Sequence, residues 1–171
     1  MSYDILSSLT ESHFHLYMRQ TMEPAMEILN LVYILIKKKN HNLYDYLMRY
    51  HLSLNYKVFC LVNCVYFNRS ELGTICFLPW VITWFGHVIN DYNTVVRLFD
   101  VFLCSHEYAP IYLSAAIVLY RADEVLRTPC DMPLIHHMLS DVSIDFHSLS
   151  KIPCYPNIFP ERFQKIYLLK I

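Results

Sequence analysis

An all-α fold is predicted, and three observations carry the prediction. Between Leu78 and Arg127, Pro79 and Pro110 stand where helices begin, and Asn90, Asp91, Tyr92 and Asn93 stand where one breaks. Within that stretch Val95, Phe99, Phe102 and Leu103 recur at helical spacing and form one apolar stripe. Only two glycines, Gly73 and Gly86, occur in 171 residues. Loops that cradle phosphate need several glycines for close backbone approach, so a P-loop or dinucleotide fold is disfavoured.

In chain order, residues 4–20 are read as a short helix with Ile5, Leu6, Leu9, Leu16 and Tyr17 as its apolar positions. His13 and His15 lie two apart and fall on different faces, a poor metal pair, so satisfied or solvated histidines are expected. Thr21 is expected to cap a helix running through Lys39, with Ile28, Leu31, Val32, Leu35 and Ile36 facing the core. Lys37, Lys38 and Lys39 sit on its last turn, where the helix dipole favours cations. Asn42 opens a helix carrying Leu43, Tyr46 and Leu47.

Residues 50–69 combine Tyr, Phe, Val and Cys with little helical periodicity. Within them 58–67 have a strand-like composition but no sheet to join in an all-α chain, so a loop or an added hairpin is expected. Cys60 and Cys64 have ligand spacing, yet no second pair completes a zinc site. Helices follow over about 78–89, from an Asn93 or Thr94 cap onward, and from Pro110 until Thr128-Pro129 stops the last. On the second of these, Arg97 and Asp100 share a face and are read first as an intradomain ion pair or helix-capping network, buried with partners. Asp131 then caps a short helix through Leu139, with Met132, Ile135, His136, Met138 and Leu139 in contact. Pro153, Pro156 and Pro160 make 151–160 extended or irregular, and 161–171 is read as a terminal amphipathic helix.

Composition narrows the function. The apolar fraction of 55% is high and the charged fraction of 17% low, so the helices are mostly covered or an apolar face awaits a partner. A net charge of −1 gives no electrostatic footprint for nucleic acid. No basic start and apolar run mark a secretory signal, so the six cysteines are read as buried free thiols in a reducing, cytoplasmic compartment. No window reaches 18 uninterrupted apolar residues, so no transmembrane segment is expected. Nothing in the spacing calls for a metal or a cofactor.

The literal residues go further. The chain carries W-x-x-x-x-F-x-x-V from Trp80 through Phe85 to Val88, ITWFGHV at 82–88, VVRLFD at 95–100 and PIY at 110–112. IVLYR at 117–121, EVL at 124–126, CDM at 130–132 and the His136-His137 pair follow in order. This series resembles the later part of the TBC domain, the catalytic module of GTPase-activating proteins for Rab small GTPases, and within it an endoplasmic-reticulum-anchored subfamily. The resemblance implies an all-α chain forming the C-terminal half of a TBC domain over 1–141, interrupted at about 50–69, with a divergent tail at 142–171. It implies a GTP-bound Rab as partner and traffic between endoplasmic reticulum and Golgi. It makes Trp84, Arg97 and Asp100 family-motif positions, structural or Rab-contacting.

In that family an arginine from I-x-x-D-x-x-R neutralises charge on the transferring phosphoryl group, and a glutamine from Y-x-Q-G orients the attacking water. Neither motif occurs in these 171 residues. Tyr17-Met18-Arg19-Gln20 has the wrong spacing, and Asp123 and Arg127 are four apart. An arginine finger contributes roughly 10³–10⁵ in rate, about 4–7 kcal/mol of barrier. No catalytic residue is therefore assigned, and this chain alone is expected not to accelerate GTP hydrolysis. A non-catalytic module that binds a Rab or another protein is the competing reading, and half a domain is expected to leave apolar surface exposed. A hydrolase or metal enzyme built on the nine histidines finds no nucleophile–base or ligand spacing.

Overall fold

The computed structural model describes residues 2–48, 76–129 and 131–140. Residues 50–69 and 142–171, with the readings made of them, lie outside the described residues. Within the described residues every regular element is a helix, as the sequence predicts. Helix α1, Ser2–Leu9, passes into a π-helical turn at Thr10–Phe14. Then come α2 (Glu23–Leu29), α3 (Leu31–Lys39), α4 (41–48) and α5 (Leu78–Ile82). Helices α6 (Tyr92–Leu103), α7 (Ala109–Tyr120), α8 (Ala122–Arg127) and α9 (Met132–Ser140) complete the order.

Helix α7 is the axis of the core. Its sequence APIYLSAAIVLY is apolar all round, and a helix of that kind must be covered on every side. Ten of its twelve residues are buried, and α3 and α5 both pack against it. Ser114, Ala115 and Ala116 let neighbours approach closely, and the buried Ser114 hydroxyl donates to the Pro110 carbonyl at 2.8 Å.

The partner stripe comes from α2 and α3. Ala25, Met26, Leu29, Val32, Tyr33 and Ile36 are buried at spacings of three and four. Two elements replace the single helix expected over 21–39. Met22, not Thr21, precedes the first turn, because Pro24 occupies an early position where no N–H is needed. Asn30 interrupts the second turn while keeping right-handed helical dihedrals, and its N–H still bonds the Met26 carbonyl at 3.0 Å. The stripe therefore runs through the break. Asn40, rather than Asn42, caps α4: its side-chain oxygen accepts the Leu43 N–H at 3.0 Å. Leu43 and Leu47 are buried, and the Tyr46 hydroxyl donates to the carbonyl of Thr128.

Other expectations are corrected. Ile5 and Leu6 are exposed at 59% and 65%, so α1 meets the core only near its end, through Leu9. Asp91 caps α6: its carboxylate accepts both the Thr94 N–H, at 2.9 Å, and the Thr94 hydroxyl. The buried face of α6 is Thr94, Leu98 and Phe102, whereas Phe99 and Leu103 stand partly in solvent. The helix expected from Pro110 to Thr128 breaks at Arg121. There the guanidinium forks onto the Glu124 carboxylate through two bonds of 2.8 Å and donates to the Met138 carbonyl of α9 at 2.7 Å. These bonds hold Glu124 ionised below the usual carboxylate range. Thr128 turns extended, φ −69° and ψ 137°, as a residue before proline must.

In α9, Ile135 and Leu139 are buried but His136 is exposed. Of the cysteines among the described residues, Cys76 and Cys104 are free thiols. Burial pushes Cys76 up to about 12, and Cys104 is exposed rather than buried. No described helix is long and apolar enough to cross a membrane.

Because Thr94 donates to it twice, Asp91 stays ionised below the usual carboxylate range. Its contribution to stability is present above the unfolded value and is lost as pH falls through the lowered folded value. Asp91→Ala should lower the melting temperature at neutral pH and remove that part of the acid dependence, so thermal melts of the two chains should converge as pH falls below 4.

Candidate functional site

The expected helix over 78–89 stops at Ile82 because the chain turns left-handed. Thr83 ends the helix, Trp84 follows with φ 49° and Phe85 with φ 65°. The Phe85 N–H reaches back to the Trp80 carbonyl at 2.8 Å and the Trp84 N–H to the Val81 carbonyl at 3.3 Å. That pair of bonds is a Schellman cap, the position where glycine normally stands. Here Gly86 lies two residues beyond the expected glycine position, and two large aromatics take the left-handed turn, a conformation that disfavours a Cβ by about 1–2 kcal/mol per residue.

Ring packing offsets that strain. Trp84, only 2% exposed, meets Phe14 at 5.2 Å, Phe99 at 5.1 Å and Phe102 at 5.6 Å between ring centroids. Phe85 lies 5.6 Å from Trp80, the hydrophobic contact that accompanies such a cap, and 6.2 Å from Phe102. Trp80 continues to Phe77 and Phe77 to Tyr33 on α3, so one run of rings joins the corner to the α2–α3 stripe.

The outer face of α6 flanks this corner. Tyr92, Val96, Phe99 and Leu103 recur at spacings of four, three and four, and all are partly or largely exposed. Arg97 and Asp100, both exposed, stand on one side of that stripe. This corrects the sequence expectation of a buried pair: α6 is apolar on two sides, and the core takes the side centred on Leu98. Phe99 borders both sides and touches Trp84. Across the corner lie His13 and His15. The His13 ring meets Trp84 edge-on at 5.5 Å, and His15 Nδ1 lies 3.6 Å from Glu107 Oε2. His13 Nε2 and His15 Nδ1 are buried without a hydrogen bond, while His13 Nδ1 meets the Ser12 hydroxyl at 2.7 Å and the His15 side chain is 37% exposed, so each ring is satisfied or solvated only in part. Among the described residues no group of three or more His, Cys, Asp and Glu could hold a metal ion.

No family model matches the chain. TBC1 domain family member 20 from cattle (Bos taurus) and from Homo sapiens is 38% identical over 141 residues, 82% of this chain and 30% of each relative. GTPase-activating protein gyp10 of Schizosaccharomyces pombe is 29% identical over 143 residues, 81% of this chain and 33% of its own length. The chain belongs to the TBC domain family. It spans about a third of the length of the curated relatives it matches.

Of the three motif positions read from the sequence, the structure buries Trp84 inside the corner and leaves Arg97 and Asp100 outside on α6. The Arg121–Glu124 fork and the two histidines were not singled out in the sequence as site residues. The i, i+3 spacing of Arg121 and Glu124 is the signal that could have found the first; sequence spacing offers none for the second.

Trp84→Ala should destabilise the chain by about 3–5 kcal/mol, since truncation empties a fully packed ring site. Trp84→Gly should lose less, because glycine relieves the left-handed strain. Gly86→Ala should also be unfavourable: its Cβ would stand 3.0 Å from the Thr83 carbonyl oxygen, which belongs to the backbone and cannot swing away. Denaturant titration of the three variants orders these effects.

Proposed function

We propose that this chain is part of a GTPase-activating protein for a Rab-type small GTPase, corresponding to the C-terminal part of a TBC domain. In this reading 1–141 belong to the domain, 50–69 interrupt it and 142–171 are a divergent tail. The observation that carries the reading is the 38% identity over 141 residues to TBC1 domain family member 20, with the name of the yeast relative in support. The subfamily resemblance adds action at the endoplasmic reticulum and Golgi surface, in vesicle traffic.

The two catalytic fingers are not among these residues. Rate acceleration in this mechanism comes from charge neutralisation and water positioning at the phosphoryl group, and a helical scaffold without either group supplies neither. The chain alone then contributes binding and support, not hydrolysis. A purely non-catalytic binding module is the second reading, favoured by the exposed stripe of Tyr92, Val96 and Leu103 beside Arg97 and Asp100. Aromatic and aliphatic groups supply burial at such contacts, and flanking charges supply orientation and on-rate.

Single-turnover GTP hydrolysis by a panel of Rab proteins should rise less than about tenfold on addition of the purified chain; a hundredfold rise would overturn the finger-less assignment. In the same panel, a GTP-loaded Rab should bind the chain. Val96→Asp with Leu103→Asp should weaken that binding at least about tenfold while shifting stability within about 0.5 kcal/mol per site, as surface changes do. Failure of every Rab to bind would remove the partner from both readings.

A further inference from the structure

We propose that the outer face of α6 is a self-complementary surface on which a second copy of this chain docks, antiparallel about a two-fold axis. Two rows of exposed residues run side by side along it. The first is apolar: Tyr92, Val96, Phe99 and Leu103, exposed at 77%, 39%, 38% and 48%. The second lies one residue further on and is polar: Asn93, Arg97, Asp100 and, at the helix end, Cys104, all exposed. Spacings of four, three and four keep each row nearly parallel to the helix axis, as along the seam of paired helices.

That spacing reads the same in both directions. In a copy turned end over end, Tyr92 meets Leu103 and Val96 meets Phe99 along the apolar row. Along the polar row Asn93 meets Cys104 and Arg97 meets Asp100. With the two-fold axis level with Leu98, each of these pairs is offset along the helix by only about 1.5 Å, the rise of one residue. Both rows therefore come into register together. The two-fold operation also keeps each row on its own side, so apolar meets apolar and polar meets polar. Opposite charges then approach twice, Arg97 of each copy beside Asp100 of the other. An isologous contact requires a face that complements itself in this way, which a face made for an unlike partner does not.

The edge of the face next to the Trp84 corner is low. Gly86 stands there, exposed and without a side chain; an added Cβ would already lie 3.8 Å from Phe99 Cε2 and Val95 Cγ1, so a longer group would stand over the row. The Phe99 ring is held from behind by Trp84 at 5.1 Å, so the centre of the row is ordered before contact and loses little freedom on docking. Four partly exposed groups offer a few hundred Å² per copy, short of the about 800 Å² a side of a standard interface, so the pair is weak and reversible. Self-association needs only this chain and does not rest on the Rab reading. Where that reading also holds, the second copy and the GTPase compete for the same row.

Sedimentation velocity of the full chain, between about 10 µM and about 1 mM, tests this. The sedimentation coefficient should rise with concentration toward that of a dimer and no further, because a two-fold contact closes at two copies. Arg97→Asp gives each face two carboxylates and Asp100→Arg gives it two guanidinium groups, so each variant alone should associate at least about fivefold more weakly. Mixed in equal amounts, the two variants bring opposite charges to both contacts and should pair at least as tightly as the parent. If a charge variant fails to fold, Asn93→Cys decides: a short bismaleimide should join its new thiol to Cys104 of a second chain, as mapped on the peptides. A parent chain that stays monomeric, growth beyond two copies, folded charge variants that associate like the parent or do not recover on mixing, or no such cross-link would overturn the pairing. A monomeric chain that binds a GTP-loaded Rab would overturn it and leave the Rab reading intact.

Discussion

The left-handed turn at Trp84 and Phe85 is the constraint on which the rest of the helical packing depends. It ends α5 after five residues and redirects the chain so that α6 can lie beside the corner. Neither residue would choose that conformation locally. Both adopt it because the turn places an indole and a phenyl ring between α6, the N-terminal segment and α5, where Phe14, Phe99, Phe102 and Trp80 receive them. Strain of a few kcal/mol is tolerated only where surrounding contacts over-determine the geometry, and four ring partners do so here.

From that corner the architecture divides its apolar surface into two kinds. Helix α7 turns ten of its twelve residues to the interior, so its neighbours are fixed by its shape and by the small residues at its middle. Helix α6 has more apolar surface than the core consumes, and the excess faces outward beside Arg97 and Asp100. The high apolar fraction thus has a structural address. Among the described residues it is shared between an almost wholly covered helix, α7, and the outer faces of α1 and α6, where Tyr3, Ile5, Leu6, Val96 and Leu103 remain in contact with water.

Much of this was legible from residue order. The helices at 31–39, 92–103 and 109–120 follow from apolar spacing and from proline and asparagine at their ends, and Leu43, Leu47, Ile135 and Leu139 fall in the core as their periodicity requires. The errors share a cause. Asn90, Asp91, Asn93 and Thr94 are all competent cap residues, and only the fold decides that Asp91 accepts from Thr94. A Trp-Phe pair carries no left-handed signal, and Asn90, Asp91, Tyr92 and Asn93 placed the break too late. Arg97 and Asp100 were read as buried because both of their flanking faces are apolar, and periodicity cannot say which of two apolar faces the core will take. The family was legible because motifs record literal residues, whereas the environment of His13 and His15 depends on a π-turn and a distant loop.

The hydrogen bond from Tyr46 to Thr128 joins residues 82 apart in the chain, and α3 finds its partner α7 across a similar separation. Most helical domains fold quickly because their contacts are local. This one couples two locally formed clusters, α1–α4 and α5–α9, through contacts that close only at long range. During synthesis at about 5–20 residues per second, the α2–α3 stripe emerges roughly 4–16 seconds before the helix that covers it. For that interval Leu29, Val32 and Ile36 lack the α7 surface that buries them in the folded chain.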